Sequence, residues 1–205
     1  MTLLSKNDQQ AVTAAISAVE RETDAELVTV LTAQSDNYSY IPLLWAGILA
    51  LLVPGAANYV GNWLGADTLL LVQWGTFILL SLLFRIPGIN TRLIPRQVRY
   101  WRASNLARRQ FLEQNLHHTK GATGVLIFVS EAERYVEILV DQGIADVLDN
   151  AVWEGIVADF TAKVRQGQTR QGFLDCIAAC GRLLQEHVPA THERNELPNH
   201  LVILP

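Results

Sequence analysis

Charge is nearly missing from one long stretch of this 205-residue chain: the 48 residues from Asn37 to Phe84 carry a single formal charge, Asp67. The remaining 157 residues hold 35 of the 36 formal charges, about 22% of that remainder and ordinary for a soluble domain. A soluble domain interrupted by a membrane insert accommodates both compositions. The length excludes a large multidomain enzyme, and a formal net charge of −4 gives no whole-chain argument for nucleic acid. Cysteine is scarce as well. Cys176 and Cys180 share a helix face with side chains poorly aimed for bridging, so no disulfide framework is implied. Beside Phe173, Ile177 and Leu184 they read as small core residues. The opening residues Met1 to Asp8 contain no apolar run long enough for a signal peptide, and no cleaved export signal is expected. Also missing are a P-loop, the paired glycines of a dinucleotide site, a nucleophile elbow and HExxH, which leaves little from which to assemble an enzyme.

What the uncharged stretch does contain is two apolar runs. Ile41 to Val60 has Asn58 as its one amide, and Pro54 within it predicts a kink or an early end. Thr68 to Phe84 carries only uncharged polar residues, Thr68, Gln73, Thr76 and Ser81. Each is long enough to cross a bilayer as a helix, which takes about 20 residues and as few as about 17. Two neighbouring helices that are apolar all round are hard to cover in a chain of this size, and lipid removes the difficulty. Tyr38, Tyr40, Trp45, Tyr59, Trp63 and Phe84 fall near the ends of the runs, where aromatic rings meet headgroups. The short connection from Gly61 to Asp67 makes the pair a hairpin. After it come Arg85, Arg92, Arg96, Arg99, Arg102, Arg108 and Arg109, with no acidic residue between Thr68 and Leu112. By the positive-inside rule this side is cytoplasmic, so both termini and the soluble domain are expected there and the turn outside, in a multi-pass inner-membrane protein. The arginines suit anionic headgroups by position. Nucleic acid, which Tyr100 and Trp101 would also suit, is not expected of a chain that is net acidic outside this arm.

The flanking segments read as one domain. Ser5 caps a helix with Asp8 in its first turn and Val12, Ile16 and Val19 on its apolar face, ending near Thr23. Glu26 to Thr32 reads as an interior strand. Beyond the insert, Arg96 to about His118 predicts a long basic helix, and Gly121 and Gly124 end it before the strand Val125 to Val129. A short polar turn, Glu131 to Glu133, leads into a second strand from Arg134 to Val140, so the two pair as a hairpin. Asp149 or Asn150 caps a helix bearing Val152, Ile156, Phe160 and Val164, with Gly167 past its end. A last helix runs from about Thr169 to before Pro189. The fold class is therefore α/β, a small mixed sheet flanked by helices, with residues 1–36 and 91–189 forming the domain and 38–86 the hairpin (about 41–60 and 68–86). Residues 190–205 are a tail whose apolar end either lies on the sheet or frays.

Gly124-Val125-Leu126-Ile127-Phe128-Val129-Ser130, followed by Glu133 to Val140 and then Gln142-Gly143-Ile144, resembles the core of the TPM domain family, which includes thylakoid-lumen and bacterial envelope proteins. Thr23-Asp24-Ala25-Glu26 before the first strand and Gly167 with Gly172 are similar to the same pattern. The likeness covers about 5–36 and 96–188 and implies an α/β domain with a small central sheet. Family members usually carry this domain outside the cytoplasm on a terminal helix, whereas here the anchor is internal and the arginines point to the other side. The resemblance also implies one alternative activity, since some relatives are metal-dependent acid phosphatases. Asp141, Asp146, Asp149 and Glu154 are where a divalent ion such as Ca²⁺ or Mg²⁺ would be sought, although capping and solvation are the favoured reading of these residues. No cofactor is otherwise assigned. His117 and His118, adjoining on a helix, point about 100° apart and do not share an ion. His187, His192 and His200 have no thiolates nearby, and Trp153 reads as packed on the sheet. The reading that results is a membrane protein with a TPM-like domain at the membrane surface, binding a protein partner or organising a complex, with a phosphomonoester hydrolase as the alternative.

Overall fold

The computed structural model describes residues 4–61, 65–86, 94–191 and 201–204. It divides into two compact units, Met1–Ser35 with Tyr100–Pro205, and Asp36–Arg99.

The first unit is an α/β domain. Helix α1 (Lys6–Glu20) begins with a reciprocal capping box: the Ser5 hydroxyl accepts from the Asp8 N–H at 3.3 Å, and the Asp8 carboxylate accepts from the Ser5 N–H at 3.1 Å. It ends three residues before the expected Thr23, with Arg21 as its C-cap. Strand β1 (Glu26–Thr32) runs parallel to β2 (Gly124–Ser130), Glu26 opposite Gly124 and Thr32 opposite Ser130. Strand β3 (Tyr135–Val140) returns antiparallel to β2, and β4 (Leu201–Leu204) lies parallel to β1, giving the order β3-β2-β1-β4. The end of the tail therefore lies on the sheet.

Every residue of β1 and β2 is buried, because helices cover both faces. Alternate residues sort accordingly. Leu27, Leu31, Val125, Ile127 and Val129 join α1, α5 (Asn150–Arg165) and α6 (Thr169–His187) in one core. Val28, Val30, Leu126 and Phe128 meet α4 (Arg96–Glu113) through Ala103 and Ala107, two alanines one turn apart that let a strongly basic helix approach the strands on a narrow stripe. Full burial of each large side chain contributes about 1.5–3 kcal/mol.

Helix α4 stops at Glu113 and does not reach His118. Asn115 takes a left-handed φ of 58°, which asparagine tolerates better than most residues, and a 3₁₀ turn, Leu116–His118, follows. The rings of His117 and His118 on this turn lie in contact, centroids 3.9 Å apart and tilted by 43°. Two glycines accommodate close backbone crossings beside the sheet: a Cβ on Gly124 would stand 2.3 Å from the Leu116 carbonyl oxygen, and one on Gly143 would stand 2.2 Å from that of Gly121. In α5 it is Trp153, not Val152, that is buried with Phe160. Cys176 and Cys180 are free thiols inside the core, where the neighbouring Cys176 and burial push the Cys180 thiol up from its ordinary range.

The second unit is a helical hairpin. Helix α2 (Tyr40–Gly61) continues through Pro54, which does not end it, and α3 (Ala66–Leu83) follows. Pro42, Ala46, Ala50 and Pro54, spaced four apart, form a buried row on α2. Tyr38, Ile41 and Ile94 cluster with Val98.

Candidate functional site

Two surfaces stand out, one in each unit. On the hairpin, α2 and α3 are both long and apolar enough to cross a membrane. None of the 18 residues of α3 is buried, and Leu71 and Trp74 are 74% and 64% exposed. Apart from a half-buried face that includes Leu69, Gln73, Phe77 and Leu80, its apolar side chains face outward and find no protein to cover them in this unit. The aromatics divide. Tyr40, Trp45 and Tyr59 are exposed, as headgroup anchors must be, whereas Tyr38 and Phe84 turn inward and are buried. Trp63 lies outside the described residues.

The other surface is the outward face of α4. Trp101, Arg108 and Leu112, at spacings of seven and four, share one side of the helix and are all exposed, with Trp101 58% accessible. Arg109 is exposed beside them, and the Arg102 guanidinium lies over the Trp101 ring at 4.9 Å from its centroid. Arg85 and Arg96 are exposed, Arg99 and Arg102 half-buried, and Arg92 lies outside the described residues. Tyr100 does not join this face. It packs edge-on to Tyr135 of β3, centroids 5.2 Å apart. The exposed Leu112 completes an amphipathic patch that the arginines alone did not suggest, and its distance of eleven residues from Trp101 was the available signal.

Each of the four acidic candidates accepts a local hydrogen bond, although the second carboxylate oxygen of Asp141, Oδ2, is buried without a partner among the described residues. Asp141 and Asp149 cap the helical turn Gln142–Ala145 and α5, accepting from the N–H groups of Gln142 at 2.8 Å and Ala151 at 2.9 Å. Asp146 accepts from the Gln142 side chain at 2.6 Å, and Glu154 from Asn150 at 2.8 Å, each four residues apart. Among the described residues no group of three or more His, Cys, Asp or Glu side chains is arranged to hold a metal ion. His187 bonds the Leu183 carbonyl on its own helix, and His192 and His200 lie outside the described residues.

A polar cluster at the carboxyl ends of β1 and β2 was not anticipated. Glu133, in the short polar turn after β2, is 2% accessible. Its carboxylate accepts from the Ser35 N–H, 3.2 Å to each oxygen, and from the Ser130 hydroxyl; the Ser35 and Ser130 hydroxyls are 2.7 Å apart. Ser35 is the last residue of the α/β unit before the hairpin, so the carboxylate fixes the point at which the chain leaves the sheet. At the opposite end of the strands, Asp24 accepts from the Thr191 N–H at 3.0 Å and Thr123 donates to the Asp24 carbonyl at 3.0 Å, tying the segment after α6 to the entry of β1.

Comparison with known proteins adds a family-model match over part of the chain and a fold. Residues 96–183 match the model of the TPM domain, a range that runs from the start of α4 into α6. The chain is similar in structure to the BA42 protein of the psychrophilic bacterium Bizionia argentinensis, solved by NMR, with a TM-score of 0.61, 19% sequence identity and coverage of 98% of this chain and 94% of that one. No curated protein matches. Helix α1 and β1 precede the matched range, and β1 pairs with β2 from before the hairpin, while β4 joins the sheet from beyond that range. The four-stranded mixed sheet between helices is thus a TPM-like α/β fold, and the segment that returns from the hairpin is the part that matches the TPM domain.

Proposed function

We propose that this is an integral membrane protein whose TPM-like domain is held at the cytoplasmic surface of the membrane, where it binds a partner protein or organises a membrane complex without catalysis of its own. The observation that carries the reading is α3, an 18-residue apolar helix with no buried residue. In water that surface has no stable resting place; in hydrocarbon it is ordinary, because the backbone is satisfied within the helix. Connection lengths support tethering. Only seven residues, 33–39, separate β1 from α2, a span of at most about 25 Å fully extended. The exposed Trp101, Arg108, Arg109 and Leu112 then supply a patch suited to anionic headgroups, each arginine near such a surface contributing about 1 kcal/mol. Support for a noncatalytic role comes from the acidic side chains, which act as caps and helix-turn acceptors.

Labelling by a membrane-impermeant maleimide tests the arrangement. A cysteine placed at Gly65 is expected to react from outside intact cells, and one at Lys120 only after lysis. The reverse pattern overturns the orientation, and release of the chain from membranes by carbonate overturns the insertion. Metal-dependent turnover of a phosphomonoester that disappears in folded Asp146→Asn and Asp149→Asn variants overturns the noncatalytic part. Crosslinking in native membranes followed by purification is the route to the partner.

A further inference from the structure

The hairpin carries one polar group that the membrane reading leaves without a purpose. Gln73 is the eighth residue of α3, about 10 Å along a helix about 27 Å long, so in a bilayer its carboxamide lies well inside the roughly 30 Å hydrocarbon layer. The other polar side chains of the two helices differ from it. Thr76 donates to the Val72 carbonyl of its own helix at 2.7 Å, and Asn58 is engaged. The Ser81 hydroxyl is unpartnered but small and close to the end of α3. Gln73 makes no hydrogen bond among the described residues, and it lines an open groove of about 500 Å³ between α2 and α3 with Leu44, Gly47, Ile48, Leu51 and Trp74. At Gly47 an added Cβ would meet nothing within 4 Å, so the backbone there is open to approach by another helix.

We propose that the hairpin is also a self-association element: two copies of this chain pair in the bilayer about a two-fold axis, groove to groove, with the two Gln73 carboxamides hydrogen-bonded to each other. The proposal rests on the membrane reading above. A lipid chain fills the apolar walls of the groove but offers nothing to an amide. A carboxamide is donor and acceptor at once, so an identical group across a two-fold axis is its complement, and an isologous contact satisfies both copies with one patch. Small residues that admit close backbone approach, with a polar side chain as the specific contact, are how helices associate in lipid, where burial of apolar area gives no drive.

The full chain, labelled at a cysteine introduced at Lys120 with donor or acceptor dye, is reconstituted in vesicles of phosphatidylcholine and phosphatidylglycerol. Energy transfer is followed as the protein-to-lipid ratio falls. The expected result is a reversible dimer whose dissociation constant rises about fivefold to tenfold in Gln73→Leu, with partial recovery in Gln73→Asn. Gly47→Leu, which fills the groove and keeps the amide, is expected to weaken pairing as well. An inserted chain that stays monomeric at every ratio, or a Gln73→Leu variant that pairs as tightly as the parent, overturns the proposal and leaves the membrane reading standing. A chain that carbonate strips from the vesicles overturns both.

Discussion

Thr29 is fully buried on β1, and among the described residues its hydroxyl has no hydrogen-bond partner. A buried hydroxyl without a partner costs about 1–3 kcal/mol relative to an apolar group. Thr29→Val is therefore expected to raise stability by about 1 kcal/mol, read as a shift in the midpoint of denaturant unfolding. Tyr135 makes the opposite case, a half-buried residue whose hydroxyl has partners. Its OH donates to Glu137 at 2.9 Å between β3 and α4, and Ser104 and Arg108 are the other groups that act on it. Burial, with the Glu137 charge adding to it, pushes the phenol from 10.0 up to about 12. The folded state thus holds this proton more tightly than the unfolded chain does. The stabilisation is complete below pH 10 and is lost as pH rises towards about 12. Melting temperature measured from pH 9 upward is expected to fall more steeply in the parent than in Tyr135→Phe, which has no phenol to titrate.

Strand β4 supplies the corresponding argument for an element. It pairs with Thr29 to Thr32 of β1, so a chain ending at Thr191 turns an interior strand into an edge with open backbone groups. Hydrogen exchange at residues 29–32 is expected to rise sharply in that truncation while exchange at β3 changes little. This strand was only half legible, because four apolar residues after an irregular tail fit both pairing and fraying, and the partner that decides is about 170 residues earlier in the chain. Helix α1 was legible for the contrary reason: Ser5, Asp8 and the spacing of Val12, Ile16 and Val19 state its start and its buried face locally. The α4 end was misread because good helix formers continue past Glu113, and the left-handed Asn115 that stops them is one residue among them. Glu133 was missed because its partner Ser35 is 98 residues away. Of the acidic residues after β3, Asp149 was readable as a cap from its position before a helix and caps α5, whereas the cap at Asp141 serves a helical turn too short to leave a periodic signal.

For the whole molecule the sequence raises a question of independence, since the hairpin interrupts the crossover between the two central strands. All four strands lie in the unit formed by Met1–Ser35 and Tyr100–Pro205, and β1 stands between β2 and β4. The buried side chains of that sheet meet α1, α4, α5 and α6, each of which contributes to one of its two cores. If these contacts suffice, the hairpin is an anchor and not a part of the core. Closing a loop costs little more when it is long than when it is short, about 0.6 kcal/mol per doubling, so the insert is compatible with the crossover and so is its removal. Replacing residues 36–99 with a flexible linker of about 12 glycine and serine residues, long enough to span about 20 Å, is expected to give a water-soluble domain. That domain should melt cooperatively by circular dichroism and remain in the supernatant, under conditions in which the full chain sediments with membranes. An excised chain that aggregates or shows no cooperative transition would mean that the hairpin helps to hold the sheet together, and the division between anchor and domain would fail.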